Sequence, residues 1–145
     1  KFRKDLKIND DSKLKVTEED NYIKIEKYSE IDNNLETLLK LKNILKKELN
    51  VNILITSMDM ILEKEDNLSK ELISKIKYGK VEVLNNNKDI IFNTSKNLNI
   101  ILKPIMIYGE IIGSLIAYSY EKEFNDIDKK IIEIAVSILI KDIEE

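Results

Sequence analysis

The sequence predicts an α+β fold: an antiparallel sheet flanked by an N-terminal and a C-terminal helix, with two short strands ahead of them. Three observations predict it. Residues 104–144 read as two apolar strands joined by a glycine turn and followed by a capped helix. Residues 31–49 carry leucines at steps of three and four, the spacing of a helix that buries one face. Between these stretches, short apolar runs are separated by polar, Asn-rich or Gly-containing breaks, as expected of strands and turns.

The elements follow in order. Lys13 to Thr17 and Tyr22 to Glu26 alternate apolar and polar, with Leu14 and Val16, then Ile23 and Ile25, on one side. Glu18 to Asn21 is the polar turn between these two strands. A pair this short is not stable alone and needs partners outside the stretch. From Ile31 the pattern turns helical, with Leu35, Leu38, Leu41, Leu45 and Leu49 in a stripe that Leu39 and Ile44 widen. VNILITS (51–57) reads as a buried strand, Met58-Asp59 as a tight turn and MILEKE (60–65) as the partner strand. Ser69 to Lys77 is a short helix carrying Leu72, Ile73 and Ile76, with Gly79 at its C-cap. KVEVL (80–84), a turn at Asn85-Asn86-Asn87 and DIIFNTS (89–95) predict another strand pair.

The last two strands lie near Ile100 to Tyr108 and Ile111 to Tyr120, with Gly109 in the turn. Pro104 fits a strand start or edge. Gly113, inside an apolar run, predicts a bulge or close packing of a helix on the sheet; direct approach of a ligand is the other reading. Asn125 or Asp126 caps the final helix, whose first turn holds Asp126 and Asp128 where carboxylates favour the dipole. Ile127, Ile131, Ile134, Ala135 and Ile138 form one apolar stripe on it, and Ile132, Val136, Ile140 and Ile143 a second. Packing on one sheet consumes less than both stripes, so the surplus predicts contact with another helix, in this chain or in a second subunit.

Composition bounds the function. The chain has 145 residues, 43% of them apolar and 35% charged, with a formal net charge of −3. That balance excludes coating nucleic acid or anionic membrane by bulk charge, so any DNA contact must be local. Its apolar runs are much shorter than a membrane span. With no Cys and no His, Cys-His and Ser-His-Asp nucleophile systems and most zinc sites are excluded. The three glycines, Gly79, Gly109 and Gly113, form no phosphate-cradling loop. Glu63, Glu65 and Asp66 are the tightest acidic cluster and read as a solvated loop or helix start. Arg3 is the single arginine among 24 basic residues. No enzymatic activity is expected, no metal site and no cofactor.

Pro104-Ile105, then Gly109, Ile111-Ile112-Gly113 and Leu115, then Phe124-Asn125 with Asp128, resemble the closing strands and terminal helix of a GAF domain. The N-terminal residues resemble the second half of an AbrB-type swapped-hairpin DNA-binding domain. Phe2-Arg3-Lys4, Leu6-Lys7-Ile8 and Asp11-Ser12-Lys13-Leu14-Lys15-Val16 are the matching positions, and Ile23 to Tyr28 is the return strand. Asp11 stands where that family has a turn glycine and Lys4 where it has an arginine. The hairpin's first strand, a Gly-Arg-Val-x-Ile-Pro-like run, has no counterpart here, so the chain reads as the C-terminal part of a longer product. Hairpin, helix and GAF domain in this order resemble the SpoVT-like sporulation regulators, and KYSEI (27–31) resembles their linker.

The resemblance implies a partial DNA-binding hairpin over 1–28 and a GAF domain over 29–145. It also implies a cytoplasmic transcription regulator whose partners are DNA, through the full-length hairpin, and copies of itself as a homodimer or homotetramer. An unidentified small-molecule effector is a further expected partner, and no membrane. Arg3 and Lys4 are the expected DNA contacts, with Lys1 and Lys7 on phosphate; an ordinary solvated basic turn is the competing reading. A GAF pocket lies between the sheet and the 58–100 segment. Met58, Phe92, Thr94, Tyr108 and Tyr118 are its candidate lining, although such residues also serve as plain core. Haem, bilin and zinc do not suit a chain without His and Cys. The alternative is a freestanding GAF sensor or dimerisation module with no DNA role, its N-terminal strands adding to its own sheet. A third reading, a GAF-fold enzyme, requires a carboxylate or lysine of strongly displaced pKa in a cleft.

Overall fold

Among the described residues, four strands, β3 (Asn52–Ser57), β6 (Glu110–Ser119), β5 (Asn97–Ile107) and β4 (Glu82–Lys88) in that spatial order, form the central sheet, every neighbouring pair antiparallel. The computed structural model describes residues 14–19, 22–27, 34–58 and 69–144. Its elements are β1 (Leu14–Glu19), β2 (Tyr22–Lys27), α1 (Leu35–Leu49), β3 (Asn52–Ser57), α2 (Lys70–Tyr78), β4 (Glu82–Lys88), β5 (Asn97–Ile107), β6 (Glu110–Ser119) and α3 (Asp126–Glu144). β1 and β2 pair with each other, antiparallel, from Leu14 opposite Lys27 to Glu19 opposite Tyr22, in a two-stranded sheet of their own. The strand expected at 60–65 lies outside the described residues, as do Glu63, Glu65 and Asp66.

The period of two along β5 and β6 divides the apolar side chains between two cores. Ile101, Ile105, Ile107, Leu115 and Ala117 face one side, where Leu38, Leu45 and Leu49 of α1 and Ile132, Val136 and Leu139 of α3 cover them. Leu98, Ile100, Leu102 and Ile116 face the other, beneath Leu72, Ile73 and Ile76 of α2 and Ile90 and Ile91 of a loop. Each aliphatic side chain so buried contributes about 1.5–3 kcal/mol relative to exposure. Of the two apolar stripes on α3, the sheet takes Ile132 and Val136 together with Leu139, and leaves Ile127, Ile131, Ile134 and Ile138 exposed.

The helix ends follow the local chemistry. Ser69 Oγ accepts from the Leu72 amide at 3.1 Å, and Gly79 closes α2 at φ +82° with its amide donating to Ile76. At α3 the cap is Asn125. Its Oδ1 accepts from the Asp128 amide at 2.9 Å, while Asp128 Oδ2 accepts from the Asn125 amide at 3.0 Å, a reciprocal capping box. Lys122 then joins two helix termini, its Nζ 3.0 Å from the Leu49 carbonyl and 3.6 Å from Asp128 Oδ1. Tyr108 (φ +52°) and Gly109 (φ +78°) make the two-residue β5–β6 turn, both left-handed as a type I′ hairpin requires.

Three sequence expectations change. Residues 89–95 are a loop, not a strand, and Asn85 to Asn87 lie within β4 instead of forming a turn. A register shift between Leu84 and Asn87, with Asn86 at φ +49°, absorbs the asparagines as a bulge. Gly113 does sit at a bulge, where the register shifts between Ile105 and Met106, but the close neighbour is a strand and not a helix. A Cβ there would lie 2.0 Å from the Thr56 carbonyl oxygen of β3.

Candidate functional site

Asp89 organises the loop that separates β4 from β5. Its carboxylate is buried and accepts four hydrogen bonds: Oδ1 from the amides of Ile91 (2.9 Å) and Phe92 (2.8 Å), and Oδ2 from the Thr94 amide (3.2 Å) and hydroxyl (2.6 Å). Burial alone raises a carboxyl pKa; here the Thr94 hydroxyl and the three amides outweigh it, and the Asp89 pKa lies below the usual value. This capture explains why DIIFNTS is not a strand. Amides that would enter a β-ladder are bound to a side chain two to five residues back.

The loop is also pinned from outside. Ser69 Oγ, which caps α2, donates to the Ile90 carbonyl at 2.6 Å, and the Ile90 and Ile91 side chains are sunk in the second core. With both anchors buried, Phe92 is held outward at 47% exposure. Its ring meets Tyr118 of β6 edge-on, centroids 5.3 Å apart and planes at 70°, the geometry favoured by the two ring quadrupoles. Tyr120 follows two residues on, just past the end of β6, with the Lys96 ammonium 5.8 Å from its ring centroid. Burial, then the charges of Tyr120 and Asp89, push the Tyr118 pKa up, so its hydroxyl is protonated at neutral pH.

Of the residues singled out in the sequence, the structure brings together Phe92, Thr94 and Tyr118, the second through Asp89. Met58 is half-buried against the same core. Phe92 and Thr94 are not core but exposed loop residues. Tyr108 does not join them. It lies at the opposite end of β6, about 27 Å from Tyr118 at ~3.4 Å per residue, where its hydroxyl donates to the Glu144 carbonyl at 3.0 Å and its amide to Glu144 Oε2 at 2.8 Å. Lys1, Arg3, Lys4 and Lys7 lie outside the described residues. Sequence reading missed Asp89, Lys96 and Tyr120. The signal for Asp89 was an aspartate five residues before a threonine with Asn93 between, a side-chain-capped turn hidden by the apolar run Ile90 to Phe92.

Deeper on the same side of the sheet, Thr56 and Ser114 face each other across β3 and β6. Their hydroxyl oxygens are 2.7 Å apart and both residues are buried. The site therefore offers exposed aromatic faces and edges, one ammonium and a tyrosine hydroxyl, set on a loop that its own aspartate holds closed. Among the described residues no three His, Cys, Asp or Glu side chains stand together as a ligand set, and no helix is long and apolar enough to cross a membrane.

This architecture is shared with a solved structure, the cofactor-binding GAF domain of the nutrient sensor CodY from Clostridium difficile. The two superpose with a TM-score of 0.52 over 80% of this chain and 99% of that one, at 17% sequence identity. The fold is that of a GAF domain. No protein-family model and no curated protein sequence matches the chain.

Proposed function

We propose that the chain is the sensing and assembly half of a bacterial transcription regulator of the SpoVT type. In this reading a small molecule binds at Phe92 and Tyr118, and the N-terminal hairpin contributes to DNA binding in the full-length product. The observation that carries the sensing role is the loop itself. A buried, fully hydrogen-bonded Asp89 rigidly presents Phe92 to Tyr118 at the mouth of one core, while the helices that could join subunits lie over the other. The structural neighbour is named as a cofactor-binding domain of a nutrient sensor, which supports a ligand-binding role for the same fold here. Ligand acts by binding one arrangement of the loop better than another.

The site binds and does not turn over. Its one carboxylate with a displaced pKa, Asp89, accepts four hydrogen bonds from its own loop, which fills the lone pairs a general base would use. The freestanding GAF module remains the second reading. Its version in which the N-terminal strands extend the domain's own sheet is disfavoured by the separate β1–β2 sheet.

Two measurements test the proposal. A metabolite panel screened by thermal shift should yield a compound that raises the Tm of the protein and not of its Phe92→Ala variant. If every stabilising compound acts equally on both, the site is misplaced. Fluorescence anisotropy of the natively expressed product on promoter DNA across a salt series, beside these 145 residues, should show binding that falls steeply with salt and weakens with Arg3→Ala. No binding by either protein transfers the assignment to the freestanding module.

A further inference from the structure

The aromatic mouth at Phe92 and Tyr118 ends on a cation that nothing balances. Tyr120, two residues beyond Tyr118, is 47% exposed, and the Lys96 ammonium stands 5.8 Å from its ring centroid. Among the described residues Lys96 makes no ion pair, and neither the Tyr118 nor the Tyr120 hydroxyl has a hydrogen-bond partner. Lys88, which neighbours this rim opposite Asn97, is engaged by Glu71 at 3.0 Å. The one carboxylate of the loop, Asp89, is spent on hydrogen bonds from Ile91, Phe92 and Thr94. What the site has left to offer is aromatic surface, hydroxyl donors and a single positive charge.

We infer that the effector bound at Phe92 and Tyr118 is a small aromatic carboxylate, its ring against these two side chains and its charge on Lys96. The inference deepens the sensing role proposed above and rests on it. Charge decides against the alternatives. A cationic ligand stacking on the rings would meet Lys96 already over Tyr120. It would also find no carboxylate lone pair free, since Asp89 has used its own. One ammonium offsets one negative charge, and a phosphate monoester at about −1.5 to −2 would stay unmatched. The ring follows from geometry. Phe92 and Tyr118 meet edge-on and leave the Phe92 ring open to a further ring in the same edge-on or offset arrangements. Orientation follows from the two charges. The Tyr118 phenol, its pKa raised by burial and then by Tyr120 and Asp89, lies at the negative end of the site, whereas Lys96 stands at Tyr120. The carboxylate is thus turned toward Tyr120 and Lys96, about 7 Å along the chain from Tyr118 at ~3.4 Å per residue. One ring and its carboxylate fill that span.

Titrations with simple probes, followed by amide chemical shifts in two-dimensional NMR spectra, test this. Benzoate should shift the signals of Phe92, Lys96 and Tyr118 saturably at millimolar concentration. Benzamide and benzylamine, its neutral and cationic analogues, should bind about tenfold more weakly or worse, the loss of a charge-assisted hydrogen bond. Cyclohexanecarboxylate, which keeps the charge and loses the planar ring, should also bind more weakly. Lys96→Gln, at an exposed position, should weaken benzoate by about tenfold and leave benzamide unchanged, and the same spectra show that the variant is folded. Benzoate and benzamide binding equally at these residues, with Lys96→Gln indifferent, overturns the inference but leaves the Phe92–Tyr118 mouth standing. Cyclohexanecarboxylate binding as tightly as benzoate overturns the aromatic ring. If none of the four probes shifts these signals, both the inference and the site are overturned.

Discussion

Asn85 and Phe124, 39 residues apart in sequence, hold each other as neighbouring strands would. Asn85 Nδ2 donates to the Phe124 carbonyl at 2.7 Å, and the Phe124 amide donates to Asn85 Oδ1 at 2.9 Å. The side chain of a bulged strand thus substitutes for a missing backbone partner at the entrance to α3, one residue before the Asn125 cap. Asn85→Ala leaves both Phe124 backbone groups without this partner and should cost about 1–3 kcal/mol. Asn85→Asp, which keeps the acceptor and loses the donor, should cost nearly as much. Urea denaturation midpoints check both.

The Asp89 loop makes stability depend on acid. Its folded-state pKa lies below the unfolded value, so the contribution is fully present above about pH 3.9 and is lost as pH falls through the folded pKa. Asp89→Asn should lower stability at neutral pH and flatten the acid limb, because an amide cannot accept from Thr94 without also presenting a donor. Urea midpoints measured between neutral and acid pH test this. An unchanged slope in the variant would assign the acid sensitivity to other carboxylates.

Thr56 and Ser114 form a buried pair, and a hydroxyl left unpaired there carries its desolvation penalty. Ser114→Ala or Thr56→Val alone should cost about 1–2 kcal/mol by stranding the other hydroxyl. The double variant should cost less than the two single losses together, and a double-mutant cycle by denaturant titration measures the difference.

Gly113→Ala should be among the most damaging single-atom additions in the protein. The new methyl meets the Thr56 carbonyl oxygen and Ser57 Cα, which are backbone and cannot rotate away. A loss of about 3 kcal/mol is expected, read as a fall in Tm. An undisturbed Tm would show that β3 and β6 can separate at no cost.

Phe92→Ala should behave in the opposite way. With the ring 47% exposed, removal forfeits mainly the edge-to-face contact with Tyr118, about 0.5–1.5 kcal/mol. The same change should abolish ligand-dependent stabilisation. A large loss of stability without ligand would place Phe92 in the core and not at a binding mouth.

The readable parts of the chain were those where a local rule and tertiary packing agree. Ser69 and Gly79 bracket α2, Gly109 marks the β5–β6 turn, and the carboxylates of α3 sit in its first turn, each within a residue or two of its structural boundary. Residues 85–95 were misread because side chains there replace backbone partners. Asn85 pairs with Phe124, Asn99 Oδ1 accepts from the Asn86 amide at 2.7 Å, and Asp89 takes three loop amides. Periodicity reports burial and is blind to such substitutions. Tyr108 was misassigned for another reason. Its aromatic character drew the assignment, although the Gly109 turn beside it already set it a full strand's length from Tyr118.

β5 is a partition one residue thick. Leu98, Ile100 and Leu102 belong to one core and Ile101, Ile105 and Ile107 to the other, each at most 2% exposed. Neighbouring residues on a single backbone thus feel the loop that carries Phe92 and the helices that cover the opposite side. Close-packed interiors pass strain on instead of absorbing it. A shift of Ile90 or Ile91 must therefore be accommodated by β5 before it can reach α3, which makes substitutions along this strand the natural place to sever effector binding from subunit association while both still occur.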